Sequence, residues 1–464
     1  MGKRIIIDPV TRLEGHGKID IRLDDSGQVQ RAYFQVPDFK GFEKFCEGRA
    51  LEEMPSLTQK ICGVCPTAHH IASSKTLDQL FHAAPPEPAV KIRELMNTAF
   101  IFEDHLLHFF FLGGPDIIIG PGAAGPSRDI FGVVAMLGRE IGKQIIDIRK
   151  KVRNLNALLS GSALYPVNGL PGGVSKPVLK RDLAEIRSIT DDALKIACLV
   201  LELFEARILG DKAFLKLLRS EAFNLRTCYM GLVDDAGQLN FYDGKIRVID
   251  PAGGELVTFE ARDYSQHLVE QVDTRSYMKP LYLKGLDDDL TTPAETGRLY
   301  RVGPLARLNI SKGLSTPRAQ AAYERFFNDM GCKPVHNTLA FHWARLIEVL
   351  HAAERMAALA ADPCLTDRDI RTIPDGIPPK GRQAVGVCEA PRGTLFHHYE
   401  AGGEALVRRL NLIVATQNNA AAISRSVEKA ARAFIADGRM TKEQLNLIEM
   451  AYRAYDPCLA CATH

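Results

Sequence analysis

Asp456-Pro457-Cys458-Leu459-Ala460-Cys461-Ala462-Thr463-His464 closes the chain, and it has an echo far upstream in Ile61-Cys62-Gly63-Val64-Cys65-Pro66-Thr67-Ala68-His69-His70. Two Cys-x-x-C pairs at opposite ends of a 464-residue chain can supply four thiolates to one metal centre. They can do so only if the body between them brings its ends together. One integrated body, residues 1–464, therefore fits better than a string of domains.

Working inward from those pairs, residues 1–50 read as short strands. Arg4-Ile5-Ile6-Ile7 is a compact apolar run, Gly17 to Leu23 alternates with period two, Asp25-Ser26-Gly27 is a hairpin-type turn, and Val29 to Val36 returns. Residues 51–225 turn helical. Pro88 to Leu112 predicts a long helix with proline in its first turn. Ile130, Val134, Leu137, Ile141, Ile145, Ile148, Val152, Leu155 and Leu159 recur at three- and four-residue steps and predict one continuous helix, with Ser127 as its cap and Gly161 as its stop. A third helical region spans 180–218, broken near Gly210. Residues 226–315 carry turn residues between β-prone runs and read as a small β-rich lobe. Residues 316–464 read as helical again, with Pro317 to Met330, Asn337 to Ala361, Ala405 to Ala436 and Lys442 to Tyr455 as helices. Long striped helices must bury one another. The expected fold class is α+β, mainly α: a long-helix bundle core with an N-terminal β region and a small β-rich middle lobe.

Composition narrows the function class. Net charge is +2, with Lys and Arg spread along the chain, so no footprint for nucleic acid or an anionic membrane stands out. The most apolar stretch, Ala99 to Leu112, is interrupted by Glu103, Asp104, His105 and His108, too polar and too short for a membrane span. The start, Met1-Gly2-Lys3-Arg4, leads into an apolar run broken by Asp8 and Pro9, which does not read as a secretory signal. Ten cysteines in a chain this long are no disulfide scaffold. Cys46, Cys198, Cys228, Cys332, Cys364 and Cys388 stand singly and read as small buried hydrophobes. Ile117 to Gly125 satisfies G-x-G-x-x-G, but Pro121 sits inside the would-be phosphate turn and no βαβ unit surrounds it.

Spacing alone leaves the cysteine pairs open between a structural Cys₄ zinc site and a redox metal centre. Three features argue against zinc. The pairs would close nearly the whole chain rather than a short loop. They travel with His69, His70 and His464, beyond what four-coordinate zinc needs. The upstream pair also lies among other polar motifs.

Those motifs carry a resemblance. Arg12-Leu13-Glu14-Gly15-His16, the stretch from Gly41-Phe42-Glu43-Lys44 to Glu47-Gly48-Arg49, Ile61-Cys62-Gly63-Val64-Cys65 and the terminal Asp456 to His464 together resemble the large subunit of a nickel–iron hydrogenase, over essentially the full length. The resemblance implies reversible cleavage of H₂ to protons and electrons. It implies that Cys62, Cys65, Cys458 and Cys461 bind nickel, and that Cys65 and Cys461 also bridge to an iron carrying carbon monoxide and two cyanide ligands. Soft thiolates suit nickel. His69, one helical turn after Cys65, would aim at the bridging sulfurs. Glu14 matches a carboxylate that takes a proton from the Cys458 thiolate. Arg392 matches an arginine above the open metal position, oriented by Asp116, and Ala415 and Thr416 match positions that hydrogen-bond an iron-bound cyanide. Glu43, His464 and the Leu412 carbonyl match ligands of a hard cation, magnesium or another divalent ion. Tyr165 departs from the family pattern, where a histidine is expected, and touches no metal ligand.

The same resemblance implies that the partner is a small iron–sulfur subunit, since no further cysteines here form a cluster-binding pattern. Further flavin and iron–sulfur electron-transfer subunits follow from its likeness to the soluble, cofactor-linked (bidirectional) branch, which also implies a cytoplasmic protein. It implies a chain trimmed after His464. The alternatives are a hydrogen-sensing member of that family, a quinone-reductase-like scaffold of the same fold, and a Cys₄ zinc protein.

Overall fold

Helix Ala340–Ala361 is buried at every position from Ala340 to Ala353, as befits a helix whose apolar residues run all the way round it. In the computed structural model, which describes residues 4–285, 298–436 and 438–464, this helix packs against Glu87–Leu107, Leu183–Leu203 and Pro317–Met330. Helix Arg139–Ser160 lies across the first two of these and buries Ile145, Ile148, Val152, Leu155 and Leu159. The bundle expected from the stripes is the core of the molecule.

Its details depart from the sequence reading at two helices. The 127–161 stripe is two helices, Ile130–Leu137 and Arg139–Ser160, because Gly138 between them takes φ 98°. The cap is Asp129, whose side chain accepts from the Gly132 amide at 2.9 Å, and not Ser127. Gly161 does end the second helix, in the left-handed region. The helix expected over Ala405 to Ala436 begins instead as a strand, Val407–Ile413, followed by Ala415–Asn418 and Ala420–Phe434.

Among the described residues, three sheets of three or more strands frame the bundle. Arg4–Ile7, Lys18–Leu23 and Val29–Gln35 form an antiparallel meander as expected, with Ile7 opposite Ile19 and Ile19 opposite Phe34, and it lies on helix Ala420–Phe434. The middle lobe is a four-stranded sheet in the order Tyr300–Arg301, Cys228–Val233, Lys245–Ile249, Glu255–Phe259. Residues 286–297 of that lobe lie outside the described residues, and helix Pro304–Ile310 already runs within the 226–315 range. The third sheet was not expected from sequence. Gln383–Ala390, Gly393–Ala401 and Val407–Ile413 pair antiparallel inside the region read as purely helical.

This third sheet packs on helix Pro66–Leu80, which begins at Cys65. The approach is close. A Cβ on Gly386 would lie 2.3 Å from the Ala72 carbonyl oxygen and 2.5 Å from Thr76 Oγ1. Ala390 pairs with Gly393, so Pro391 and Arg392 form a two-residue hairpin tip. Among the described residues, no helix is long and apolar enough to cross a membrane.

Candidate metal centre

The two cysteine pairs meet. The sulfurs of Cys62, Cys65, Cys458 and Cys461 all lie within 4.8 Å of one another, and all four residues are buried. Cys65 sits at the N-terminus of helix Pro66–Leu80, where the helix dipole favours a thiolate. The Val64 amide donates to the Cys62 sulfur at 3.2 Å. On the other side Cys458 precedes the short helix Leu459–Ala462, and its amide donates to Thr416 Oγ1 at 3.0 Å. The sulfurs approach as Cys62–Cys458 at 3.2 Å and Cys65–Cys461 at 2.7 Å.

The chemistry of this donor set fits a metal. Hydrogen bonds from Cys458 and its neighbours pull the Cys62 thiol far below its ordinary pKa. Burial, with the surrounding thiols, pushes Cys458 and Cys461 well above theirs. Four buried sulfurs at this spacing can all be thiolates only with a polyvalent cation among them.

Glu14 is brought to this cage by a loop that pairs with the C-terminal turn. Glu14 and Cys458 form a β-bridge, the Leu459 amide donates to the Glu14 carbonyl at 3.0 Å, and the Ala460 amide donates to Glu14 Oε2 at 2.9 Å. The same Oε2 accepts from the Cys458 thiol at 3.1 Å. Burial, and then the negative charge at Cys62, raise the Glu14 pKa. Gly15 makes the approach feasible, since at φ 86° a Cβ there would stand 2.9 Å from Leu459 Cβ.

Arg392 reaches over the cage from its hairpin tip. Its guanidinium pairs with Asp104 at 3.2 Å and Asp456 at 2.9 Å, and it is nearly fully buried. Burial, with the negative charge of Asp456 nearby, pushes Asp104 up to about 7 against the lowering effect of the Arg392 charge. The sequence reading had Asp116 orient Arg392. Asp116 instead pairs with Arg12, with Arg128 at 3.0 Å and with Arg453 at 3.0 Å, because it lies at the far end of the Arg12 loop. The two carboxylates that do hold Arg392 were both in view, Asp104 in an apolar helix and Asp456 beside Cys458. A charge persisting inside an otherwise buried helix was the signal.

His69 places Nε2 3.6 Å from the Cys461 sulfur. Burial depresses its pKa to about 4, so the ring is neutral. His70 points away, with Nδ1 at the Pro55 carbonyl (3.2 Å) and Nε2 accepting from the Gly169 amide (3.0 Å). Between Cys65, Cys458, Cys461 and Arg392 lies a small cavity, walled by Ala390, Leu395, Val414, Ala415 and Thr416.

Glu43 and His464 also meet, at 3.3 Å, and His464 Nδ1 lies 2.7 Å from the Cys461 carbonyl oxygen. Burial works against ionisation of Glu43, but His464 and the Leu412 amide outweigh it and lower the pKa. The Leu412 amide donates to Glu43 Oε1 at 2.9 Å, which brings Leu412 beside Glu43 and His464.

Comparison with known proteins agrees with this geometry. Residues 40–119 and 258–464 match the family model "Nickel-dependent hydrogenase", and residues 4–39 match one described as HoxL-like. The chain is 41% identical over 463 residues to an iron-sulfur subunit of the F420-non-reducing hydrogenase of Archaeoglobus profundus, covering 100% of this chain and 94% of that one. It is 35% identical to the NAD-reducing hydrogenase HoxS subunit beta of Cupriavidus necator, covering 100% and 95%. A crystal structure of an NAD+-reducing [NiFe]-hydrogenase in the H₂-reduced state superposes with a TM-score of 0.90 at 40% identity, covering 100% and 99%. With a family match that spans both cysteine pairs and relatives that match end to end, the chain is the catalytic large subunit of an oxidoreductase acting on H₂ and belongs to the nickel-dependent hydrogenase family.

Proposed function

We propose that Cys62, Cys65, Cys458 and Cys461 hold nickel, and that Cys65 and Cys461 also bridge to an iron carrying one carbon monoxide and two cyanides. Cys65 and Cys461 line the cavity together with Cys458, Cys62 does not, and its far wall of Ala390, Leu395, Val414 and Ala415 suits small, weakly polar ligands. Ala415 opens a helix, so its amide has no partner within that helix. The Thr416 hydroxyl accepts from Cys458 and keeps its own proton to donate. Both are placed to serve a cyanide nitrogen. When bound, the metal pair supplies the polarisation that splits H₂ heterolytically.

The chain's own residues manage the proton. Cys458 shares its proton with Glu14 along a 3.1 Å contact, and burial raises the carboxylate pKa, which favours its taking a proton. The Ala460 amide fixes the carboxylate in place. Arg392, locked by Asp104 and Asp456, keeps a fixed positive charge at the cavity roof. Glu43 and His464, with Leu412 beside them, would hold a divalent cation such as magnesium beneath the C-terminal turn.

Electrons must leave the chain. The four cysteines are the one metal-capable cluster found among the described residues, which supports a next carrier outside it, on an iron–sulfur small subunit. Relatives named as subunits of NAD-reducing and F420-non-reducing hydrogenases support further electron-transfer subunits, the soluble branch and a cytoplasmic setting. Pairing of residue 14 with residue 458 supports a single body over 1–464. The observation that carries the proposal is the convergence of four sulfurs, Glu14 and Arg392 on one cavity. Metal analysis with infrared spectroscopy of the purified complex tests it. One nickel per chain with bands for iron-bound carbon monoxide and cyanide is expected, and stoichiometric zinc without those bands overturns it.

A further inference from the structure

Arg307 uses all five of its N–H groups in one corner of the core. Nε donates to Glu348 Oε1 at 2.7 Å and Nη2 to Glu348 Oε2 at 2.6 Å, while Nη1 donates to Glu389 Oε2 at 2.7 Å. The N–H groups left over go to consecutive backbone carbonyls, Nη1 to Ala390 at 2.9 Å and Nη2 to Pro391 at 3.0 Å. All three charged side chains are fully enclosed, so no water competes for these bonds.

Ala390 and Pro391 lead directly into Arg392 at the hairpin tip. Pro391 lies beyond the last pair of the ladder, is buried, and as a proline brings no N–H of its own. Its carbonyl, cut off from water, is satisfied by Arg307. The segment that carries Arg307 meets the tip twice more. A Cβ on Gly303 would stand 2.8 Å from the Arg392 carbonyl oxygen, and one on Gly393 would stand 2.2 Å from Val302 Cγ2. Glu389 Oε1 accepts from the Leu232 amide and the Thr394 hydroxyl, each at 2.9 Å, and so joins strand Cys228–Val233 to both hairpin strands. Glu348 meets His105 Nε2 at 2.8 Å, and His105 is the chain neighbour of Asp104. The backbone before Arg392 and the helix that bears one of its carboxylates are thus tied to the same guanidinium.

Asp104 and Asp456 fix where the Arg392 guanidinium ends, but not where its long, flexible side chain starts. We propose that Arg307, held by Glu348 and Glu389, is a positioning residue that sets the hairpin tip from which Arg392 reaches the cavity roof. This rests on the reading of Arg392 as the fixed charge of that roof. It also gives the β-rich middle lobe a part in the reaction, since Val302, Gly303 and Arg307, which meet the tip, belong to it. Misplacing a group of the site by about 1 Å can cost about 10²-fold in rate.

The test uses the purified holoenzyme complex, with nickel content, thermal midpoint, H₂ oxidation and a crystal structure of each variant. Arg307→Lys keeps a cation between Glu348 and Glu389 but has fewer N–H groups and cannot span both carboxylates and both carbonyls. H₂ oxidation should fall by about 10-fold or more at wild-type nickel content. The tip should be displaced, with Arg392 drawn off Asp104 or Asp456. Arg392→Gln has no charge to place, so adding Arg307→Lys to it should slow the enzyme no further. Arg93→Lys is the control for structural loss. Arg93 is also buried, pairs with Asp78 and grips the Leu170 and Gly173 carbonyls, at the end of helix Pro66–Leu80 away from the cage. It should lower the thermal midpoint and leave turnover at the wild-type rate. Glu348→Gln leaves Arg307 with one acceptor oxygen there in place of the carboxylate pair. It should give the Arg307→Lys pattern at smaller size, and it decides the matter where the lysine variant takes up no nickel. Wild-type turnover in Arg307→Lys beside a lowered midpoint, losses that multiply in the double variant, or a tip that stays in place each overturns the inference. Wild-type turnover in Arg392→Gln would overturn the roof reading of Arg392, and the crystal structures would still decide whether Arg307 sets its place.

Discussion

Asp116 meets Arg453 at 3.0 Å, and through that contact the short helix Pro115–Ile118 is tied to the helix that delivers the C-terminal cysteines. Arg453 also reaches the Thr11 carbonyl at 3.2 Å, while Arg12 reaches Asp116 from the loop that carries Glu14. One buried carboxylate thus anchors both halves of the proton hand-off from outside the site.

Asp116→Asn leaves Arg453 buried with half its compensation gone. Removing one partner of a buried ion pair typically destabilises by about 3–5 kcal/mol. A lowered thermal midpoint is expected, together with weakened proton exchange, because Glu14 and Cys458 lose their common anchor. An unchanged midpoint would show the cluster to be dispensable.

Glu14→Gln retains the shape of the side chain and its acceptor for the Ala460 amide but cannot take a proton. General acid–base groups contribute about 10²–10⁴-fold. Isotope exchange between H₂ and heavy water should fall by about 10²-fold or more while nickel content stays at the wild-type level. Exchange at the wild-type rate would remove Glu14 from the pathway.

Arg392→Lys keeps one charge but cannot span Asp104 and Asp456 together. H₂ oxidation should drop about 10²-fold, the scale seen when a preorganised charge is lost from an active site. Metal content is the control, since no cysteine depends on this side chain.

The pH dependence of stability follows from histidines away from the cage. Burial first, in each case, depresses His70, His105 and His351 from 6.5 to about 4. Between those values the unfolded chain binds protons that the folded chain refuses. Their contribution is complete above pH 6.5 and is lost as pH falls toward 4, at about 1.4 kcal/mol per group for each pH step of one. Thermal midpoints measured from pH 7.5 to 4.5 should fall steeply below 6.5. A flat profile would mean that these rings are protonated in the folded state.

Much of this was legible because it is local. The cysteine pairs are four-residue motifs, and the bundle helices announce themselves by stripes. The sheet over 383–413 was hidden for a physical reason. Val407, Leu410 and Ile413 fall at three-residue steps that mimic a helix stripe, and a bulge at Glu400–Ala401 breaks the alternation. Gln383–Ala390 is buried on both faces beyond its first residue, so it shows no period at all. Gly138 splits a helix without interrupting its stripe, because Leu137 and Ile141 keep the spacing across the break. Asp104 and Asp456 meet Arg392 from opposite ends of the chain, and nothing in their sequence neighbourhoods names that arginine. Asp116 was assigned by motif alone, and motif carries no information about which arginine a carboxylate faces.

Asp456 holds Arg392 through its side chain, and two residues later the same turn presents the Cys458 sulfur. The same short turn therefore sets both the carboxylate that holds the guanidinium at the roof of the cavity and the sulfur at its floor, so the height of the gap between them is fixed within three residues of chain.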